Sequence, residues 1–392
     1  DGVLAECALV ALPPRKLGLA AMACLKLRRC ANDVILQRVR LVGLTRRNEG
    51  ETLGSLLFAV HALSPATMTA TTATAACGVW HTAVVTSEGE FFTFGDGENG
   101  KLGHGREDDE LMPRRVEALA RNRVVQVACG QENTAVITST GELYTFGFQE
   151  RGELGHGSEA NHVLVPRRVE ALVEKRVVQV SCGLCHTAVV TSDGELHTFG
   201  REYHGKLGHG GHGIVRHHQL VPRRVEALVG KRVVQVACGE EHTAVVTLEE
   251  KLFTFGDGWF GQLGHGNEEN ESVPRRVEGT LTGKCIVQVA CGTWHTAVIA
   301  STGELFTFGI GDYGKLGHGS EENELVPRRV DKLMGKRVVR VSCGDTCTAV
   351  LTSEGELYTS GDTEGDNPDD EELMWPRRVA FPATASGETT IN

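Results

Sequence analysis

The chain has 392 residues, enough to build a full core, and its 48 glycines against four Trp and four Tyr point to many tight turns rather than long helices. A formal net charge of -11 argues against a general nucleic-acid binder, because phosphate binding runs on clustered Lys and Arg, and it favours a protein partner with a basic surface. No apolar run approaches the ~18 residues needed to cross a bilayer, so no membrane role is expected.

Asp1 is not an initiator methionine, which fits a trimmed or incomplete product. In residues 1–66, Leu17, Ala20, Ala21, Cys24 and Leu27 recur at helical spacing, and Ile35, Leu36 and Val39 continue the pattern, so two amphipathic helices are expected. Pro13-Pro14 would open the first. The run from Leu12 through Cys24, Leu27, Arg28, Ala31, Asp33, Leu36 and Val39 resembles the second half of an F-box, the module that docks an adaptor to cullin ubiquitin ligases. A plain helical cap on the rest of the chain is the other reading.

Residues 67–382 repeat. Six Cys-Gly pairs begin at Cys77, Cys129, Cys182, Cys238, Cys291 and Cys343, at intervals of 52, 53, 56, 53 and 52 residues. Each copy runs in one order: a β-rich stretch such as Val124 to Ala128, Cys-Gly, His-Thr-Ala-Val-Val-Thr, a short turn, and Glu-Leu-Phe-Thr-Phe-Gly. A glycine-rich stretch ending Leu-Gly-His-Gly, an acidic loop and Pro-Arg-Arg-Val complete it. Runs of Val, Thr and Phe punctuated by Gly read as short strands, and turns such as Ser87-Glu88-Gly89-Glu90 put glycine where a tight hairpin needs positive φ. The fourth copy has Leu248-Glu249-Glu250-Lys251 there, so its turn is expected to be looser. One small sheet cannot bury both faces, so the copies must stack, and short strands favour a closed ring: an all-β β-propeller of six or seven blades. Residues 383–392 read as a flexible tail.

Cys-Gly-x-x-His-Thr, Thr-Phe-Gly-x-Gly-x-x-Gly-x-Leu-Gly-His-Gly and Pro-Arg-Arg-Val resemble the repeat of the regulator of chromosome condensation family. That resemblance implies a propeller that binds proteins, with guanine-nucleotide exchange on a small GTPase as a special case. The F-box resemblance implies instead a substrate-recognition subunit whose partner is a ubiquitin-ligase adaptor. Plant ultraviolet-B photoreceptors resemble the same fold, but their repeat places Trp two residues before the His, whereas Trp80 and Trp294 directly precede His81 and His295.

Gly95 to Gly100, Gly256 to Gly261 and Gly309 to Gly314 match the dinucleotide pattern GxGxxG, yet a real fingerprint occurs once and opens a helix, so turn glycines explain them better. Cys77 with His81, and its equivalents, share a C-x3-H spacing that could hint at zinc, but a ring keeps such pairs apart. Buried reduced thiols and structural histidines, in a cytoplasmic or nuclear protein with neither cofactor nor metal, are therefore expected. No singular catalytic constellation stands out from the repeats, so no enzymatic activity is expected. The paired arginines, Arg114-Arg115 to Arg377-Arg378, should set one member on a repeat carboxylate such as Glu117, Glu170, Glu226 or Glu278, with the other solvated.

Departures from the repeat mark the candidate partner-binding residues. Tyr203, His204, Trp259, Phe260, Asp312 and Tyr313 occupy one variable turn, and equivalent loops of a propeller share one side. The longer third-copy loop adds His212 and His217. After Leu-Gly-His-Gly, Glu268, Glu269, Glu321 and Glu322 belong to a recurring acidic loop whose charges should add into one negative field.

Overall fold

The computed structural model describes residues 72–158, 162–210, 218–362 and 371–379. The helices expected in residues 1–66 and the tail at 383–392 lie outside them. Six four-stranded sheets surround a central channel, and in each sheet spatial order follows chain order, every strand antiparallel to the next. Among the described residues the fold is an all-β β-propeller of six blades.

The six inner strands are Thr72–Cys77, Val124–Cys129, Val177–Cys182, Val233–Cys238, Ile286–Cys291 and Val338–Cys343, and each of the six Cys-Gly cysteines ends one of them as a buried thiol. The second strands do not alternate apolar and polar. His295–Ala300 is buried at all six positions, because its sheet has a neighbour on both sides. Five hydrophobic clusters form, one between each successive pair of sheets. Phe146, Phe199, Phe255 and Phe308 are wholly buried in them, and truncating one such ring costs about 3–5 kcal/mol. Among the described residues no sixth cluster joins the last sheet to the first.

Polar groups inside these interfaces are matched across blades. His81 Nε2 lies 2.8 Å from Thr134 Oγ1, while that hydroxyl donates to the Lys101 carbonyl at 2.8 Å. With its proton committed, the oxygen can only accept, so His81 is the neutral tautomer protonated on Nε2. His186–Thr243–Lys206 and His242–Thr296–Gln262 repeat the relay, and His295 meets Thr348 at 2.9 Å. Protonating Nδ1 would place an N–H where these four rings have no acceptor, in a dry interface. Desolvation accordingly pushes His81 and His242 down to about 3, and His186 and His295 well below the ordinary histidine range. On the outside, Arg123 donates to the Ser87 and Glu88 carbonyls and Arg176 to those of Ser139 and Thr140, each clamping the preceding blade's hairpin.

Two sequence expectations are corrected. The fourth-copy turn is not looser: Thr247 N–H donates to Lys251 O (3.0 Å) and Glu250 N–H to Thr247 O (2.8 Å), as in its siblings. Glu250 simply adopts the positive φ, 59°, that glycine takes elsewhere. The arginine pairs also differ. Arg114, Arg275 and Arg328 meet Glu110, Glu271 and Glu324 four residues before them, and the second members reach the hairpin carboxylates Glu90, Glu142, Glu195, Glu304 and Glu356. Of the four expected partners only Glu226 is engaged, by Arg224 at 3.1 Å. Ladder register decides this, because Arg115 pairs with Phe92 and so lies beside the hairpin.

The packing has two measurable consequences. The four interface histidines bind protons when unfolded but not when folded, so their contribution is complete above about pH 6.5 and fades as pH falls toward 3; thermal melts should drop through that window, and His242→Gln should flatten the drop. Glu250→Gly should stabilise the protein by about 1 kcal/mol in urea denaturation by relieving the left-handed residue, and an unchanged midpoint would mean the turn carries no strain.

A candidate protein-docking face

His81 pairs with Gly95, His242 with Gly256 and His295 with Gly309, so the turn after each Cys-Gly and the glycine-rich loop leave every sheet on one side. Glycine is required where those loops pass over backbone. A Cβ on Gly95, at φ 115°, would lie 2.5 Å from the Trp80 carbonyl, and one on Gly264 would lie 2.8 Å from the Phe308 ring of the next sheet. The GxGxxG pattern is thus a crossing between blades.

Each crossing is keyed to its neighbour. The fully buried Lys101 and Lys206 reach Glu132 and Glu241 of the following sheets at 2.5 Å. Where the second copy has Glu153 instead, Arg151 meets Cys185 Sγ at 3.2 Å. In the fourth, Phe260 packs edge-on against Trp294, 5.5 Å between ring centres.

On top of this frame lies an aromatic stack. Tyr203 and His204 are parallel at 3.8 Å, and His204 continues onto Trp259 of the next sheet at 5.7 Å. The Arg201 guanidinium covers Tyr203 at 4.6 Å and approaches Glu241 at 4.0 Å. His204 Nδ1 lies 3.3 Å from Asp257 Oδ2, within ion-pair range though not aligned as a hydrogen bond. His204 holds φ 55° and Tyr313 φ 62°, a left-handed backbone that most side chains avoid and that tends to cluster at functional sites. Trp259 is 60% exposed, Tyr313 47% and Tyr203 42%, although nothing in the blade fold demands an aromatic there.

The sequence-predicted residues divide. Tyr203, His204 and Trp259 come together; Phe260 turns inward to Trp294; Asp312 and Tyr313 stand exposed on the fifth crossing, with Lys315 5.9 Å above the Tyr313 ring. Glu268, Glu269 and Glu322 are exposed, whereas Glu321 accepts the Tyr313 N–H at 3.1 Å and so also orders its loop. His212 and His217 lie outside the described residues. Sequence reasoning missed Arg201 and Asp257, which hold the stack, and Glu202 and Glu240, which burial raises to about 7, Glu240 further by Glu241 and Asp345. Asp257 offered one signal: it follows Phe-Gly in the crossing that carries Trp259. The Leu-Gly-His-Gly histidines stay structural, each ring Nε2 2.8–3.0 Å from a Thr hydroxyl of its own sheet.

A family model described as "RCC1-like domain" matches residues 46–389. The chain belongs to the RCC1-like domain family. Ultraviolet-B receptor UVR8 of Arabidopsis thaliana is 37% identical over 285 residues, covering 72% of this chain and 63% of the receptor. E3 ubiquitin-protein ligase HERC2 of Homo sapiens is 38% identical over 285 residues, 71% of this chain but 6% of the ligase. Protein RCC2 homolog of Danio rerio is 30% identical over 298 residues, 71% of this chain and 59% of that protein. This RCC1-like chain therefore spans less than two thirds of these relatives' lengths. Among solved structures, human WBSCR16 superposes with a TM-score of 0.70 at 26% identity, covering 81% of this chain and 83% of that one. Prp20p of Saccharomyces cerevisiae gives 0.69 at 22%, covering 80% and 78%.

Since the stack lies on the RCC1-like frame without supporting it, Trp259→Ala should move the stability of the domain by no more than about 0.5 kcal/mol. His242→Ala, which leaves Thr296 without its donor, should cost about 1–3 kcal/mol. Parallel thermal melts check the pair, and an early-melting Trp259→Ala would make that Trp a packing residue.

Proposed function

We propose that this propeller is a binding scaffold that docks a basic protein segment on the loop face, with Tyr203, His204 and Trp259 as its apolar platform and the surrounding carboxylates as its counter-charge. The exposed stack carries the reading: a rigid, solvent-facing Trp flanked by Tyr is the composition of an interface hot spot. Glu268, Glu269 and Glu322 on neighbouring loops supply a field that speeds encounter with a cationic partner and screens out with salt. Prp20p, a solved propeller of this fold, is described by its binding to Gsp1p and histones, and histones provide a defined basic probe. Nucleotide exchange on a small GTPase is a narrower form of the same scaffold role. Recognition of substrates for a ubiquitin ligase is a second reading, favoured by the 38% identity to part of HERC2.

Binding of purified core histones and of an Arg/Lys-rich peptide, followed by fluorescence anisotropy, tests the proposal. Trp259→Ala should weaken the complex by about 2 kcal/mol, and the triple change of Glu268, Glu269 and Glu322 to Gln should slow association at low salt. Equal affinity of both variants and wild type would reject this face.

The pH dependence has a definite sign. Glu202 is raised by burial, with Lys206 and Arg223 opposing, and Glu240 by burial, Glu241 and Asp345, with Lys206 opposing, both to about 7. They are charged above that pH and neutral below it, so binding of the basic probe should weaken between pH 8 and pH 6. Glu202→Gln with Glu240→Gln should remove that part of the pH profile.

A further inference from the structure

Three exposed aromatic rings stand on the crossings, and two of them already carry a cation. Arg201 covers Tyr203, its guanidinium carbon 4.6 Å from the ring centre, and Lys315 Nζ lies 5.9 Å from the centre of Tyr313. Trp259 is the most exposed of the three, and indole is the ring that attracts a cation best. Among the described residues no cation covers it, and His204 is its one ring neighbour. Arg201, Tyr203, His204 and Trp259 thus form a stack with a guanidinium at one end and an open indole at the other.

Asp257 is spent within the frame. It is buried, its Oδ1 accepts the main-chain N–H of Trp259 at 3.0 Å, and its Oδ2 faces His204 Nδ1 at 3.3 Å. Its part is to hold the indole in place. Free charge comes from the acidic loop, whose main chain lies directly on Gly258. Asn270 Oδ1 accepts the Gly258 N–H at 2.9 Å, and a Cβ on Gly258 would overlap the Glu269 carbonyl. Glu268 and Glu269 therefore leave the loop beside the residue that precedes Trp259. Both are exposed, and among the described residues neither forms an ion pair.

We propose that the open face of Trp259 is a guanidinium subsite: an arginine of the basic partner segment stacks on the indole as Arg201 stacks on Tyr203, and its N–H groups donate to the Glu268 or Glu269 carboxylate. This inference rests on the docking face proposed above and specifies the partner residue that the face takes. A guanidinium is planar and weakly hydrated, so it can stack and fork to a carboxylate at once, whereas an ammonium is a compact charge that keeps its water. The face therefore selects arginine-bearing segments from lysine-bearing ones of equal charge.

Two dye-labelled peptides, identical except that one carries arginine wherever the other carries lysine, separate the subsite from the docking face. Anisotropy titrations at equal low salt should give the wild type a roughly tenfold preference for the arginine peptide. Trp259→Ala should abolish that preference, and Trp259→Phe, which keeps a flat ring, should retain part of it. Unlabelled arginine peptide should perturb the tryptophan emission of the wild type and leave that of Trp259→Phe unchanged. Equal affinity for the two peptides, a preference that survives Trp259→Ala, or, should that variant misfold, unperturbed wild-type emission overturns the subsite and leaves the docking face standing. Failure of both peptides to bind rejects the docking face itself, and the subsite with it.

Discussion

A histidine ring in one sheet and a threonine hydroxyl in the next, 2.8–2.9 Å apart, recur at four of the five described blade junctions, and the remaining stack depends on them. Each sheet is apolar on both faces and too small to be stable alone, so a neighbour is obligatory. Apolar burial supplies most of the free energy but is not directional. The relay supplies direction: three of those threonines also donate to a backbone carbonyl of the preceding blade's crossing loop, so a blade slipped by one residue would strand buried polar groups on both sides. At the fifth junction Asn133 takes the histidine's place and reaches Thr187 at 3.5 Å. A shorter side chain keeps the donor and loosens the contact.

That same constraint separates structure from function. Positions inside a junction must complement a neighbour, and they vary only in matched sets: Lys101 with Glu132, Lys206 with Glu241, Arg151 with Cys185, Phe260 with Trp294. Positions that point away from the junction are released from it. Trp259 and Tyr203 belong to that class, as does Tyr313, and each stands beside a residue bound into the frame. The platform is consequently rigid without having to be repeated from blade to blade, and little conformational entropy is lost when a partner settles on it.

Much of this was legible in the sequence because the repeat multiplies every signal. Six Cys-Gly pairs at near-constant spacing establish six sheets, and the turn glycines locate the hairpins. What the sequence hid were pairings set by register. Arg114 reads as a neighbour of Glu117, but the strand carries it back over Glu110. Leu248-Glu249-Glu250-Lys251 reads as a broken turn, because the conformational cost of Glu250 at positive φ is small beside the hydrogen bonds that close the hairpin. The aromatic stack was half visible: its rings follow from the variable turn, whereas Asp257 and Arg201 sit in otherwise ordinary positions and gain meaning only when two crossings meet. His212 and His217, the F-box resemblance and any further blade fall outside the described residues.

A ring of near-identical blades has no site by symmetry alone. Contributions from equivalent positions spread evenly around the axis, so a charge repeated in most blades yields a diffuse field that attracts a partner without orienting it. Many of the repeated carboxylates are in any case consumed locally, Glu110, Glu271 and Glu324 by the arginines four residues on. Orientation must come from singular residues. On the loop face these are Tyr203, His204 and Trp259, confined to one junction between the third and fourth sheets. Those three combine flat apolar rings with an anionic neighbour, Asp257, whose Oδ2 lies 3.3 Å from His204 Nδ1.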